Sequence, residues 1–285
     1  MSQTFTAACV QNTAERDPAP TMAALSDLIR RARDQGGDLI MTPEVCAMLE
    51  PRRKLAMTKV ELEESNSALE QFRGLARETG AWILIGSMAI KLADEERFAN
   101  RSILLNPKGE SVARYDKIHM FDVDVGAGDV YRESNGYRPG DHATLAETPW
   151  GGLGMTICYD MRFPYLYRDL AKAGADFLTA PSAFTVPTGR AHWHVLLRAR
   201  AIETGCYVFA PAQVGEHAEG RKTYGHSLIV GPWGDVLADG GEDVGVITAT
   251  IDVAQVAEAR SRVPSLFNDR PYAAPKSIAK AQAAE

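Results

Sequence analysis

The chain has 285 residues, 45% of them hydrophobic and 24% charged, proportions of an ordinary folded protein that exclude a disordered, collagen-like or disulfide-stapled one. Lys and Arg number 31 against 37 Asp and Glu, a net charge of -6 with no basic block to neutralise phosphates, which argues against a nucleic-acid partner. The longest strongly apolar stretch, Trp82 to Ile90, is broken by Gly86 and Ser87 and falls far short of the ~20 residues of a membrane span. The N-terminus, MSQTFTAACVQ, lacks the basic and apolar regions of an export signal. Cys9, Cys46, Cys158 and Cys206 form no C-x-x-C pair and suit a reducing compartment, so a cytoplasmic protein is expected.

Taken in chain order, an apolar strand at 5–11 (FTAACVQ) is followed by an amphipathic helix at 19–35, where Met22, Leu25, Leu28, Ile29 and Ala32 recur on the helical period. A short buried strand, Gly36 to Pro43, precedes a second helix at 61–79. Glu78-Thr79-Gly80 then stops that helix and introduces the strand AWILIGSMAI and the hairpin RSILLNPKGESVARY. Asp122 to Gly140 has neither period and reads as a loop of the functional or disordered kind. The same units then return: strand 152–160, helix 164–173, strand Gly174 to Pro181, helix 190–204 through Trp193, Leu196, Leu197, Arg200 and Ala201, a Glu203-Thr204-Gly205 stop, strand CYVFAPAQV and hairpin HSLIVGPWGDVLA.

Two β-α-β-α-β-β-β units make two mixed sheets, each with helices on one face. Burying the remaining faces against each other predicts a four-layer α-β-β-α sandwich with an internal pseudo-repeat. A single doubly wound sheet is the other arrangement this order permits. In either case Pro43-Glu44 and Cys158-Tyr159 fall where parallel strands give way to loops, the edge that carries sites in α/β folds.

Glu44 follows the strand DLIMTP directly, which puts a carboxylate at the mouth of a sheet, although surface glutamates are common. Cys158 ends the strand GLGMTI and begins a turn, the placement that presents a nucleophile; a buried, inert thiol is the other reading. Cys9, Cys46 and Cys206 read as packing. Lys117, between a strand and the aperiodic stretch, would lower the pKa of a nearby thiol and stabilise an oxyanion, unless it is a solvated surface lysine. Glu133 lies within the aperiodic stretch. His192-x-His194 points to different sides of a helix and lacks further ligands at zinc spacing, so no metal is expected. Gly126-x-Gly128 lacks the third glycine and helix of a dinucleotide site, so no nucleotide cofactor is expected either.

At Pro43-Glu44, at Asp116-Lys117-Ile118-His119 and at Cys158-Tyr159-Asp160-Met161-Arg162-Phe163-Pro164, the sequence resembles the nitrilase superfamily of carbon-nitrogen hydrolases. The likeness extends through HMFDVDV, RES around Glu133, PSAF, TGRAHW, LLRARAIET and YGHS, from about Thr4 to Tyr272. It implies a single hydrolase domain over 1–272 with a tail at 273–285, and the α-β-β-α sandwich. It also implies a cofactor-independent cysteine amidase with Glu44 as general base, Lys117 as oxyanion-binding cation, Cys158 as nucleophile, Glu133 as the second glutamate and the Tyr159 backbone N–H in the oxyanion hole. Within the superfamily the strings look most like the Nit branch, which implies a small carboxylate-bearing amide as substrate, deaminated glutathione before 2-oxoglutaramate or an N-carbamoyl compound, and a homodimer. Phe184, Thr188 and Arg162 are candidate substrate contacts, Arg162 either binding a carboxylate or bracing the turn. Tyr165 and His194 stand where many relatives carry Glu, which touches the support of Arg162 and leaves the catalytic set intact. From another class, a binding module that keeps the sandwich without the chemistry is the remaining alternative.

Overall fold

The structure, a computed structural model, describes residues 3–125 and 130–275, so Gly126, Gly128 and positions 276–285 of the expected tail lie outside it. The first half runs β1 (Thr4–Gln11), α1 (Pro18–Asp34), β2 (Leu39–Met41), α2 (Arg53–Lys59), α3 (Ser67–Thr79), β3 (Trp82–Lys91), β4 (Phe98–Leu105) and β5 (Ser111–Asp116). Short strands β6 (Asp122–Asp124), β7 (Val130–Arg132) and β8 (Tyr137–Arg138) connect it to the second half. There follow β9 (Thr144–Thr148), β10 (Gly151–Met155), α4 (Pro164–Lys172), β11 (Ala175–Thr179), α5 (Val186–Thr204) and β12 (Tyr207–Ala210). A small hairpin, β13 (Val214–Glu216) and β14 (Lys222–Tyr224), precedes β15 (Leu228–Val230), β16 (Val236–Asp239), β17 (Gly245–Asp252) and α6 (Ala254–Arg262).

One sheet has the order β17-β1-β2-β3-β4-β5, with β8 also on β4; the other has β16-β15-β12-β11-β10-β9. Strands β1, β2 and β3 are parallel, as are β10, β11 and β12, and both triplets are flanked by antiparallel strands. The pseudo-repeat read from the sequence is therefore a repeat of sheet topology.

Strand pleating sorts the side chains into layers. Ala7, Cys9, Leu39, Met41 and Leu84 share a core with Leu153, Met155, Phe177 and Phe209 of the second sheet. Their neighbours Ala8, Val10, Ile40, Ile83 and Ile85 pack on Met22, Leu25 and Ile29 of α1 and on Leu69, Phe72 and Leu75 of α3. Phe5 stacks on Trp150 (ring centroids 4.3 Å) and meets Phe177 edge-on (5.3 Å), tying the sheets face to face. Helices α4 and α5 lie on β11 and β12. The four layers of the α-β-β-α sandwich are thus in place, and the single doubly wound sheet is not what forms.

Both expected helix stops are left-handed caps: Gly80 (φ 64°) and Gly205 (φ 61°) donate their N–H groups to the carbonyls of Ala76 and Ala201. The helix expected over 61–79 starts later, as a 3-10 turn at Glu63–Ser65 and then α3, because Asn66 Oδ1 accepts the Leu69 N–H at 2.8 Å and sets the cap there. The aperiodic stretch holds β6, β7 and β8, each too short for an alternation to register.

Candidate active site

Three strand ends meet above the sheets. Gly86 in β3 sits between the segments leaving β2 and β11, and a Cβ there would lie 1.8 Å from the Thr42 carbonyl oxygen and 2.6 Å from Pro181 Cβ. Glycine is required at that crossing, and the close approach brings the Glu44 segment up against the Pro181 segment. Beyond it the backbone is strained at two points. Val45 (φ 46°) and Cys158 (φ 49°) occupy the left-handed region, which costs side-chain-bearing residues about 1–3 kcal/mol each.

Each strained turn is held by buried polar groups. Ser87 Oγ accepts the Val45 N–H at 2.8 Å, and Gln213 Nε2 donates to the carbonyls of Glu44 (3.1 Å) and Val45 (3.2 Å). At the other turn, the Cys158 N–H donates to Pro181 O (2.9 Å) and a 3-10 helix, Cys158–Arg162, follows. Fully buried Asp160 anchors it: its carboxylate accepts the Ile157 N–H (2.8 Å), the Tyr115 hydroxyl (2.7 Å) and the His119 N–H (3.0 Å). Arg200 Nε donates to Met161 O at 2.8 Å from the α5 side.

The sequence-expected residues converge here. Lys117, one residue past β5, is 2% exposed; its Nζ donates to Glu44 Oε1 (2.8 Å) and to Glu133 Oε1 and Oε2 (3.0 and 2.8 Å). The thiol of Cys158 lies beside the Glu44 carboxylate, close enough for each to shift the other's protonation. Glu44 Oε2 accepts the Ala183 N–H at 2.9 Å, and Glu133 Oε2 accepts that of Phe121 at 2.6 Å. Asn100, unremarked in the sequence, bridges both carboxylates, donating from Nδ2 to Glu44 Oε1 (3.0 Å) and Glu133 Oε1 (3.2 Å).

Charge in this cluster follows from the partners. Burial pushes the Glu44 carboxyl up, but the Lys117 ammonium, its hydrogen bond, the adjacent Cys158 thiol and the Ala183 N–H together outweigh it and hold the group below its ordinary value. Burial pulls the Lys117 ammonium down, and the Glu133 and Glu44 carboxylates more than reverse that. Burial, and next the Glu44 carboxylate, push the Cys158 thiol well up against the pull of Lys117. The expected downward pull of the lysine on the thiol is present but outweighed, by burial first and by the Glu44 carboxylate next, so the thiol is held protonated. Such a centre can move a proton from sulfur to the neighbouring carboxylate at the moment a substrate arrives.

A cavity of about 590 Å³, of small-molecule size, opens over the cluster. Glu44, Lys117, Glu133 and Cys158 line it, as do Phe184 and Thr188. Arg162 is not part of this lining. Its guanidinium lies over the rings of Tyr159 (5.8 Å) and Phe184 (5.5 Å), and Nη2 contacts His192 Nδ1 at 3.2 Å. Arg221 does line the cavity, and the sequence reading passed over it; a lone arginine in a polar hairpin ahead of YGHS carries no local signal of that placement. Tyr165 supports the Cys158 turn at one remove, its hydroxyl 2.7 Å from Nε2 of His119, whose Nδ1 lies 2.7 Å from Asp160.

His194 pairs with neither His192 nor the cavity. It converges with His226 and Asp239, donor atoms all within 4.8 Å, and Asp239 hydrogen-bonds His194 Nε2 (3.0 Å) and His226 Nδ1 (2.9 Å). Among the described residues no helix is long and apolar enough to cross a membrane.

Residues 6–261 match the model of the carbon-nitrogen hydrolase family, and the chain belongs to that family. It is an amide-hydrolysing enzyme of the nitrilase superfamily, resembling its Nit branch. Deaminated glutathione amidase of Yersinia enterocolitica is 42% identical over 241 residues, 83% of each chain. Deaminated glutathione amidase of Homo sapiens is 40% identical over 93% of this chain and 82% of that protein. The NitFhit protein of C. elegans superimposes with a TM-score of 0.87 at 34% identity, over 94% of this chain and 66% of the other.

Proposed function

We propose that the chain cleaves the amide bond of deaminated glutathione through a thioester on Cys158. The observation that carries this reading is the contact of one carboxylate, Glu44, with both the Cys158 thiol and the Lys117 ammonium on the cavity floor. The substrate rests on the curated relatives of that name at about 40% identity.

In this mechanism Glu44 takes the thiol proton as sulfur attacks the amide carbonyl. Lys117 Nζ and the Tyr159 N–H, in the first turn of the 3-10 helix, meet the oxyanion. Protonated Glu44 then gives its proton to the leaving amine, which departs and leaves the thioester. Glu44 next takes a proton from water, the hydroxide adds to the thioester carbonyl, and collapse releases the carboxylic acid product and returns the proton to sulfur. Glu133 and Asn100 hold Lys117 and Glu44 in register throughout, and no cofactor enters any step. Phe184 and Thr188 are substrate contacts.

A cytoplasmic location and a homodimer complete the proposal. The four thiols are free, as a reducing compartment keeps them, and Val195 and Ile202 on α5 leave apolar surface exposed for a second copy.

The test is carboxylate release from deaminated glutathione, 2-oxoglutaramate and an N-carbamoyl amino acid by wild type and Cys158→Ala. Preferred cleavage of deaminated glutathione, lost in the variant, is the expected result. Preference for either other substrate would replace the substrate and keep the mechanism. A folded wild type inactive on all of them, with Cys158 alkylated no faster than the other thiols, would favour the binding module.

A further inference from the structure

We infer that Arg221 is the anchor for the carboxylate on the acyl side of the substrate, an assignment that rests on the carboxylate-bearing amide proposed above. Most charges around the cavity are paired. Lys117 is taken up by Glu44 and Glu133. Glu50 faces Arg16 (3.6 Å) and Lys59 (3.4 Å), and Glu219 faces Arg16 (3.5 Å) and Arg52. Of the two other lining cations, Arg132 and Arg221, neither forms an ion pair among the described residues, and Arg132 stands opposite Asp122 in the β6-β7 ladder, within reach of its charge. Arg132 spends Nη1 on the carbonyls of Val123 (3.2 Å) and Tyr131 (2.8 Å), which fastens the β6-β7 hairpin.

Arg221 is placed differently. Its Nη2 donates to the carbonyl of Ala183 at 3.3 Å, and the N–H of that same residue donates to Glu44 Oε2. One residue therefore links the guanidinium to the catalytic carboxylate. The guanidinium also stands over the Tyr131 ring (5.9 Å), and its Nε is buried without a hydrogen-bond partner among the described residues. A fixed, partly buried cation with unused donors beside the reacting centre is an uncompensated charge that a substrate anion would satisfy. A planar fork suits a carboxylate in particular, binding it through two parallel hydrogen bonds. The class of ligand is an amide whose acyl chain ends in a carboxylate, as in 2-oxoglutaramate and the acyl half of deaminated glutathione.

The experiment compares glutaramate with pentanamide, which differ by a carboxylate in place of a methyl group, in wild type, Arg221→Met, Arg221→Lys and Arg132→Met. The readout is the ratio of kcat/KM for the two amides, so a variant that merely disturbs Glu44 lowers both and leaves the ratio alone. Wild type should prefer glutaramate, and Arg221→Met should collapse that preference by roughly 10–100-fold, the value of a charge-assisted hydrogen bond, mostly through KM. Arg221→Lys should restore part of it, and Arg132→Met should keep most of it. In parallel, 2-oxoglutarate should protect Cys158 of wild type from iodoacetamide and protect Arg221→Met at correspondingly higher concentration. An unchanged ratio in Arg221→Met, or a collapse in Arg132→Met instead, would overturn the assignment while leaving the carboxylate substrate standing. A wild type indifferent to the carboxylate would remove both.

Discussion

Replacing Lys117 by Met tests how the charge cluster is held. The lysine side chain is 2% exposed, and the two carboxylates it joins, Glu44 and Glu133, are 7% and 13% exposed. Removing one partner of a buried ion pair costs about 3–5 kcal/mol, because the charge left behind has neither water nor counter-ion. Unfolding entropy of ~2.1 cal/mol/K per residue over 285 residues amounts to about 0.6 kcal/mol/K, so Tm should fall by roughly 5–8 °C near neutral pH. The loss should also depend on pH. In wild type the folded Glu44 value lies below its ordinary one, so its contribution to stability is present above the ordinary carboxylate range and is lost as pH falls through the folded value. Without Lys117, burial is no longer outweighed, the folded value moves above the ordinary one, and the sign reverses: the fold is favoured in acid and loses stability as pH rises. Urea denaturation at about pH 5 and about pH 8 should show a smaller penalty at the lower pH. A penalty equal at both, or under about 1 kcal/mol, would refute the view that the lysine is what keeps the Glu44 carboxyl ionised. If Lys117 meets the oxyanion as proposed, amide hydrolysis should drop by roughly 10²–10³-fold at both, the usual cost of losing such a donor.

Two other perturbations follow from the same geometry. Gly86→Ala places a methyl group 1.8 Å from the Thr42 carbonyl oxygen, so the crossing must open; a cost of about 1–3 kcal/mol and a fall in kcat/KM are expected, whereas Gly74→Ala in α3, with open space around it, should stabilise the helix by about 0.5–1 kcal/mol. Thermal melts with activity assays check the pair, and a Gly86→Ala protein as active as wild type would show the crossing to be unimportant. His217, buried between the Ala14 carbonyl (2.9 Å) and the Thr223 hydroxyl (2.7 Å), is pulled below its ordinary value by burial, and by Arg221 in turn, against the Ala14 hydrogen bond. The unfolded chain therefore takes up this proton first. Stability is present above about pH 6.5 and lost as pH falls through the folded value, and His217→Gln should flatten that acid limb in denaturation curves taken from about pH 7.5 to about pH 5.

Short-range physics is written legibly into this chain. The helical period of Met22, Leu25 and Ile29, the glycine stops at Gly80 and Gly205, and the buried strands ahead of Pro43 and Pro181, which end at Met41 and Thr179, were all legible, because each is set by neighbours a few residues away. So was the doubling of the fold, since both halves repeat those local signals. The placement of Glu44, Lys117 and Cys158 at strand ends was also legible, and the family resemblance joined them. Tertiary structure decided what depends on residues distant in sequence. Pairing of β17 with β1, Thr4 opposite Asp252, closes one sheet from the far end of the chain, and nothing local to either strand announces it. Asn100 and Asp160 are ordinary polar residues until the fold buries them, where Asn100 Nδ2 and the Asp160 carboxylate find partners and so fix segments of the candidate site. Arg221 reaches the cavity because the β13-β14 segment packs against Ala183. The state of the thiol was a tertiary matter too: Lys117 alone would favour the thiolate, and the burial that the fold imposes, with the Glu44 carboxylate after it, outweighs that pull.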